Sequence, residues 1–180
     1  MTLLAFGQPD GGVTQFAYFV EDIETAAAQM SAQLRVGPWF VRGPFRPPEG
    51  RLRGEPNQPL VSLARGFAGH AMFELVQQHD DGPSVYHEDG GPRRYGFHHW
   101  AIVTSRFDDD VARLAAAGCA EAFSDRLPSG ARVVYMDSTG RLPGMIELVE
   151  RTDAQEEVYA AMYRAAVGWD GSEPIRRTDR

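Results

Sequence analysis

Residues 96–103 read Gly96-Phe97-His98-His99-Trp100-Ala101-Ile102-Val103, and their reading decides the fold. The run is aromatic and β-branched, as strands are. Side chains on a strand alternate between faces, so His98 and His99 are expected to point opposite ways and not to share a site. The run that follows, 105–118, reads as a helix with Val111, Leu114 and Ala115 apolar and Gly118 at its C-terminal stop. A short strand in 121–128 and two strands, 131–137 and 144–150, come next, the last two joined by a turn at Ser138-Thr139-Gly140.

The same order occurs earlier in the chain. Val13–Val20 reads as a strand. Ile23, Ala27, Met30 and Leu34 follow helical spacing behind an Asp22 N-cap, and Gly37-Pro38 ends that helix. Trp39–Val41, Leu60–Gly66 and His70–Gln78 read as strands, the last two joined by a turn bracketed by Gly66 and Gly69. Between them, 42–59 holds five prolines and four arginines and reads as a loop. An order of βαβββ therefore occurs twice, and such a repeat outranks local signals in a fold assignment. Gln15-Phe16-Ala17 answers His99-Trp100-Ala101, and Phe73-Glu74-Leu75-Val76 answers Ile146-Glu147-Leu148-Val149. The expected architecture is α+β, two tandem βαβββ modules forming one curved mixed sheet around a cleft, with a C-terminal helix. Its parts are an N-terminal segment 1–12, modules at 13–80 and 96–151, a linker at 81–95, and a helix and tail at 152–180. The helix starts at a capping box, Thr152 to Gln155, and stops at Gly168. The stretch after it reads as an extended arm or a loose end.

Composition narrows the function classes. The formal net charge is −7, which argues against a nucleic-acid partner. All 18 basic residues are arginine, so no lysine is present to form a Schiff base or act as a base. The single cysteine, Cys119, excludes a disulfide framework and a CxxC zinc site, and its place at a helix end reads as an inert thiol. Residues 1–12 lack a basic signal-peptide head, and no apolar run reaches membrane-spanning length, so no membrane partner and a cytoplasmic location are expected.

A carboxylate inside an apolar strand is costly to bury unpaired, and a lone strand histidine is usually a satisfied core residue. The repeat changes both readings. Pseudo-twofold packing brings Glu74 and Glu147 together and adds Gln15 and His99 from the two first strands. One imidazole, two carboxylates and one amide oxygen suit a divalent first-row ion with open positions. His98 is left to pack or hydrogen-bond.

This pattern resembles the vicinal-oxygen-chelate superfamily of glyoxalases, epimerases, extradiol dioxygenases and bleomycin-resistance proteins. The resemblance covers about residues 13–151, and GFHHWAIV and SGARVVYMDSTGRLPGMIELVE are similar to the second module of methylmalonyl-CoA epimerases. It implies a metal site at Gln15, Glu74, His99 and Glu147, holding one divalent ion drawn from Zn, Ni, Co, Mn or Fe. Gln15 stands where dioxygenases and epimerases carry histidine, and Ser62 falls near the place of an epimerase's second catalytic glutamate. The order Gln, Glu, His, Glu is that of glyoxalase I, which implies a metal-bound enediolate with Glu147 as base and Glu74 facing it. Phe19 and Gln78 stand where that enzyme carries its glutathione-binding arginine and asparagine. The expected function is a metal-dependent isomerase or lyase that takes a proton next to a carbonyl. An epimerase or ring-cleaving dioxygenase is the alternative within the fold, and a non-catalytic ligand-sequestering protein the alternative outside catalysis. The expected substrate is a small molecule, aromatic or a thioester, contacted by Trp39, Phe45, Arg46, Tyr135 and Met136. The C-terminal helix is open to a homodimer contact.

Overall fold

The computed structural model describes residues 2–87, 92–138 and 140–178. Strand β1 (Val13–Phe19) leads into helix α1 (Ile23–Leu34), then β2 (Trp39–Phe45), the short pair β3 (Arg51–Leu52) and β4 (Glu55–Pro56), and the hairpin β5 (Val61–Ala68) and β6 (Ala71–Gln78). The second half follows with β7 (Gly96–Thr104), α2 (Phe107–Ala116), β8 (Ala120–Arg126), β9 (Arg132–Asp137) and β10 (Met145–Glu150). Helix α3 (Asp153–Ala166) and β11 (Ile175–Arg177) end the chain. The helix signals act as expected: Asp22 accepts from Thr25 N at 2.7 Å, and Thr152 accepts from Gln155 N at 3.1 Å. The second arm of the α3 capping box is diverted, because Gln155 Oε1 accepts from Ser129 Oγ at 2.6 Å. The expected turn at Ser138-Thr139-Gly140 includes Thr139, and the expected linker includes 88–91, which lie outside the described residues.

All the strands form one mixed sheet in the order β11-β2-β5-β6-β1-β7-β10-β9-β8-β3-β4. Its centre is the antiparallel pair β1·β7, each flanked by the parallel last strand of its own half, β6 or β10. The halves therefore mirror one another about the β1·β7 seam. Helices α1 and α2 cover the outer face through Ile23, Ala27 and Trp39 in one half and Phe107, Leu114 and Met136 in the other. Half-buried Cys119 packs with the second group. On the inner face, the N-terminal segment contributes Leu4 and Phe6 and α3 contributes Tyr159 to a cluster with Phe67, Met72 and Val133. The inner concavity is thus filled at one end and left as a cavity at the other.

One expectation fails at the sheet edges. Parts of the 42–59 stretch are paired: β2 extends to Phe45, and β3 pairs antiparallel with β8 of the second half, Arg51 opposite Ser124. The tail is an edge strand, with Ile175 opposite Trp39 in parallel. Only residues 46–50 separate β2 from β3, a reach of about 20 Å at most for an extended chain. The two wings of the sheet must therefore curl toward each other across the cavity.

Candidate metal centre and cavity

Four side chains converge on the sheet's midline because two alanines leave room for them. Across the seam, Gln15 lies opposite Ala101 and His99 opposite Ala17. The parallel neighbours place Glu74 beside Ala17 and Glu147 beside Ala101. Ala17 and Ala101 are fully buried, and larger side chains there would fill the space the four polar groups occupy. The repeat Gln-Phe-Ala and His-Trp-Ala therefore encodes both a donor and the gap beside it.

A bulge aims each donor. Between Ala17·His99 and Tyr18·Phe97, His98 has no partner on β1, and between Val13·Ile102 and Gln15·Ala101, Thr14 has none on β7. An extra residue in one strand breaks the alternation of faces. That corrects the expectation for the paired histidines: their rings meet at right angles with Nδ1 atoms 2.9 Å apart. Gly144, at φ +118, passes so close to the bulge that a Cβ there would stand 2.7 Å from the His98 carbonyl oxygen.

The contact between the rings fixes a tautomer. His98 Nε2 lies 2.9 Å from the Val85 carbonyl oxygen, which only accepts, so Nε2 carries the proton. Burial lowers the pKa of His98 to about 3, so its ring is neutral and Nδ1 holds a lone pair. His99 Nδ1 must then donate to it. Burial also lowers His99, to about 4, which leaves His99 Nε2 with a bare lone pair. That lone pair faces Glu147 Oε2 at 3.3 Å and Glu74 Oε2 at 3.5 Å. Among the described residues, Glu74, His99 and Glu147 place three ligand atoms within 4.8 Å of one another. Three lone-pair donors facing one point repel unless a cation sits between them. Gln15 Nε2 lies 3.2 Å from Glu74 Oε2 and 3.5 Å from His99 Nε2, while its buried Oε1 has no hydrogen-bond partner among the described residues. A half-turn of the amide exchanges that donor for an acceptor. The residues present fit a divalent ion.

His98 is in this way tied to the centre through one neighbour. His98→Phe removes the acceptor for His99 Nδ1, and divalent-metal affinity is expected to fall by about 10–100-fold with the fold retained. Competition with a chromophoric chelator measures it. Unchanged affinity would show that the Val85–His98–His99 relay does not act on the centre.

The two carboxylates differ. Glu74 Oε1 is paired with Arg65 Nη2 at 2.7 Å, both buried, while its Oε2 faces the other donors. Burial raises Glu74, with Arg65 pulling the other way. Burial alone would lower Arg65, but Glu74, Glu147 and the two buried tyrosines Tyr135 and Tyr159 together outweigh it and the guanidinium stays protonated. Glu147 has no such partner: burial raises it to about 7, opposed by Arg65 and by a hydrogen bond from Tyr135. Tyr135 donates to the ionised Glu147 carboxylate, and the Tyr86 and Tyr135 hydroxyls lie 3.1 Å apart.

Arg65 is the functional residue that sequence reading missed. The position on β5 that faces the centre is Arg65, and Ser62 lies on the outer face, 2.8 Å from His79 Nε2. A signal was available. A two-residue turn at Gly69-His70 pairs Ala68 with Ala71 and, by counting back, Arg65 with Glu74.

A cavity of about 390 Å³ opens above the centre. Glu147, Arg65 and Tyr135 form its polar floor, and Phe45, Leu63, Tyr86, Phe123, Val133 and Met162 are among its apolar walls. Of the residues expected to contact substrate, Phe45 and Tyr135 line it. The other three do not. Met136 follows Tyr135 on one strand and so faces α2, and Trp39 lies on the outer face under α1, its Nε1 donating to Ser31 Oγ at 3.0 Å. Arg46 points away and binds Asp80 at 2.9 Å and the Gln58 carbonyl. The arginine cluster is likewise spent on structure, Arg51 donating to the Gly54 carbonyl at 2.8 Å and Arg53 pairing with Asp137 at 3.6 Å.

The profile described as Glyoxalase/Bleomycin resistance protein/Dioxygenase superfamily matches residues 14–136. No curated protein matches in sequence. Among solved structures, a methylmalonyl-CoA epimerase from Mycobacterium tuberculosis is similar at TM-score 0.56 and 18% identity, covering 81% of this chain and 91% of its own. A hypothetical protein from Bacillus halodurans C-125 reaches 0.56 at 15% identity, covering 79% and 95%. A variant methylmalonyl-CoA epimerase from Streptomyces coelicolor, in complex with 2-nitronate-propionyl-CoA, reaches 0.53 at 17%, covering 81% and 98%.

Proposed function

The chain belongs to the glyoxalase/bleomycin resistance protein/dioxygenase superfamily, and from that premise we propose that it is a metal-dependent isomerase or lyase acting on a small organic molecule. The reaction is removal of a proton from a carbon next to a carbonyl. The observation that carries this reading is His99 Nε2 facing two buried carboxylates, at 3.3 and 3.5 Å, beneath an apolar cavity. Gln15, Glu74, His99 and Glu147 would hold one divalent ion. Such an ion supplies a Lewis acid for an oxygen that gains negative charge.

The chain's own residues divide the remaining work. Glu147 reaches the cavity floor and takes the proton, its carboxyl held by Tyr135. Glu74 is bound on one oxygen by Arg65 and turned toward the donors with the other, so it is not free to carry a proton. The apolar walls exclude water and strengthen every charge interaction at the floor. A single carboxylate not tied to an arginine suits one-base isomerisation or elimination better than an epimerisation that needs bases on two faces. One histidine among the donors departs from the two-histidine, one-carboxylate set of non-haem iron oxygenases. A full donor set speaks against mere ligand sequestration.

The division into modules 13–80 and 96–151 joined by 81–95, and a cytoplasmic location, belong to the same proposal. No helix among the described residues is long and apolar enough to cross a membrane. Both halves of the centre come from one chain, so a homodimer is not needed to complete it.

The test has two readouts. Elemental analysis of protein purified without chelator is expected to find about one divalent ion per chain, lost in His99→Ala. Incubation in D₂O with a panel of carbonyl compounds is expected to show deuterium entering next to the carbonyl, and Glu147→Gln to abolish it. A chain that takes up no divalent ion would overturn the proposal.

A further inference from the structure

Arg65 does more at the floor of the cavity than orient Glu74. One edge of its guanidinium is engaged by Glu74 Oε1. Its Nε is buried, has no hydrogen-bond partner among the described residues, and belongs to a side chain that lines the cavity. A buried donor left unsatisfied is costly, so a ligand that accepts from it is favoured. The charge count points the same way. Two carboxylates and one guanidinium leave the floor with one net negative charge. A divalent ion turns this into one net positive charge, which a single anionic group would neutralise. Above the floor Leu63, Tyr86, Phe123 and Met162 are apolar, and the Asp125 carboxylate in the wall would repel a second anionic group. At the mouth, Arg126 is committed to the Gly130 carbonyl at 2.6 Å and to Glu49 at 3.7 Å, and Arg42 lies over the Phe45 ring at 4.0 Å. Neither is set out as a clamp for a polyphosphate tail.

We infer that the substrate is an amphipathic monocarboxylate, with an uncharged apolar body in the cavity and its carboxylate against Arg65. The inference rests on the proposed metal-dependent reading, because the net positive floor requires the ion. Guanidinium and carboxylate match as a fork to two oxygens, and the low dielectric of the cavity strengthens the pairing.

The probes are 4-phenylbutanoate, its methyl ester and acetyl-CoA, titrated calorimetrically into protein loaded with Ni²⁺, after a separate titration of Ni²⁺ alone. The acid is expected to bind about tenfold more tightly than the ester, the worth of one hydrogen bond between charged groups. Arg65→Gln is expected to abolish that preference. Val158→Asn, on α3 at the exposed rim of the cavity, is expected to weaken acid and ester alike. The acid-to-ester ratio of the native chain decides even where Arg65→Gln fails to fold. Equal binding of acid and ester, or tighter binding of acetyl-CoA than of the acid, overturns the substrate class. Failure to take up Ni²⁺ in the first titration overturns the metal-dependent function instead.

Discussion

Arg65→Met is expected to lower the stability of the metal-free chain by about 3–5 kcal/mol, the cost of stranding one member of a buried ion pair. Methionine fills a similar volume, so the loss is electrostatic and not a cavity. Glu74 is 1% exposed, and without Arg65 its remaining polar neighbours are Gln15 Nε2 and His99 Nε2. The second of these is a lone pair. Two buried carboxylates then face each other with no internal cation, and one must keep its proton. The same substitution is expected to tighten divalent-metal binding, since the positive charge competing for Glu74 is gone. Urea unfolding in chelator and then in saturating Ni²⁺ reads both effects: a large loss in the first and a larger recovery than the native chain shows in the second. A loss under 1 kcal/mol in chelator would mean that Arg65 and Glu74 are not a functional pair.

Trp39→Ala is the second large effect, expected at about 3–5 kcal/mol of stability with no change in ligand affinity. The indole is fully buried, and the absent side chain of Gly66 makes room for it: a Cβ there would lie 3.2 Å from the ring. Truncation opens a void between sheet and α1 that the backbone cannot close. Phe45→Ala is expected to do the reverse, costing little stability and weakening probe binding, because Phe45 is half-buried and lines the cavity. Urea unfolding beside calorimetry of the probes separates the two. A Trp39→Ala chain that folds normally but loses ligand would return Trp39 to the cavity.

The contrast between Trp39 and Phe45 shows what the chain's letters disclose. Both are aromatic, both sit near Gly-Pro steps, and composition cannot tell wall from core. The sheet can: a register shift between Arg42 and Phe45 sets which residues of β2 turn inward. Tyr135 and Met136 were separable by alternation alone, since neighbours on one strand cannot both line a cleft. The donor set was readable because a repeat converts two unrelated glutamates into a pair, and the Gln-x-Ala and His-x-Ala echoes locate the seam. The bulges at Thr14 and His98 were not readable, because a bulge exists only relative to a partner strand. The same holds for β3 on β8 and β11 on β2, which join residues far apart in the chain through backbone groups that carry no side-chain signature. Residues 1–12 hold Leu4 and Phe6 in the core, and too few letters lie there to show a period.

Those two long-range pairings bear on how the chain matures at the ribosome. When residue 80 has emerged, β2 has β5 on one edge and nothing on the other until residues 175–177 arrive, and β3 has β4 on one edge and nothing on the other until β8 is made. The first half thus leaves the exit tunnel with β1, β2 and β3 each lacking a neighbour that later residues supply. Premature termination anywhere after the second module should therefore yield a chain with an intact donor set and an open edge, prone to join its own kind before it can fold shut.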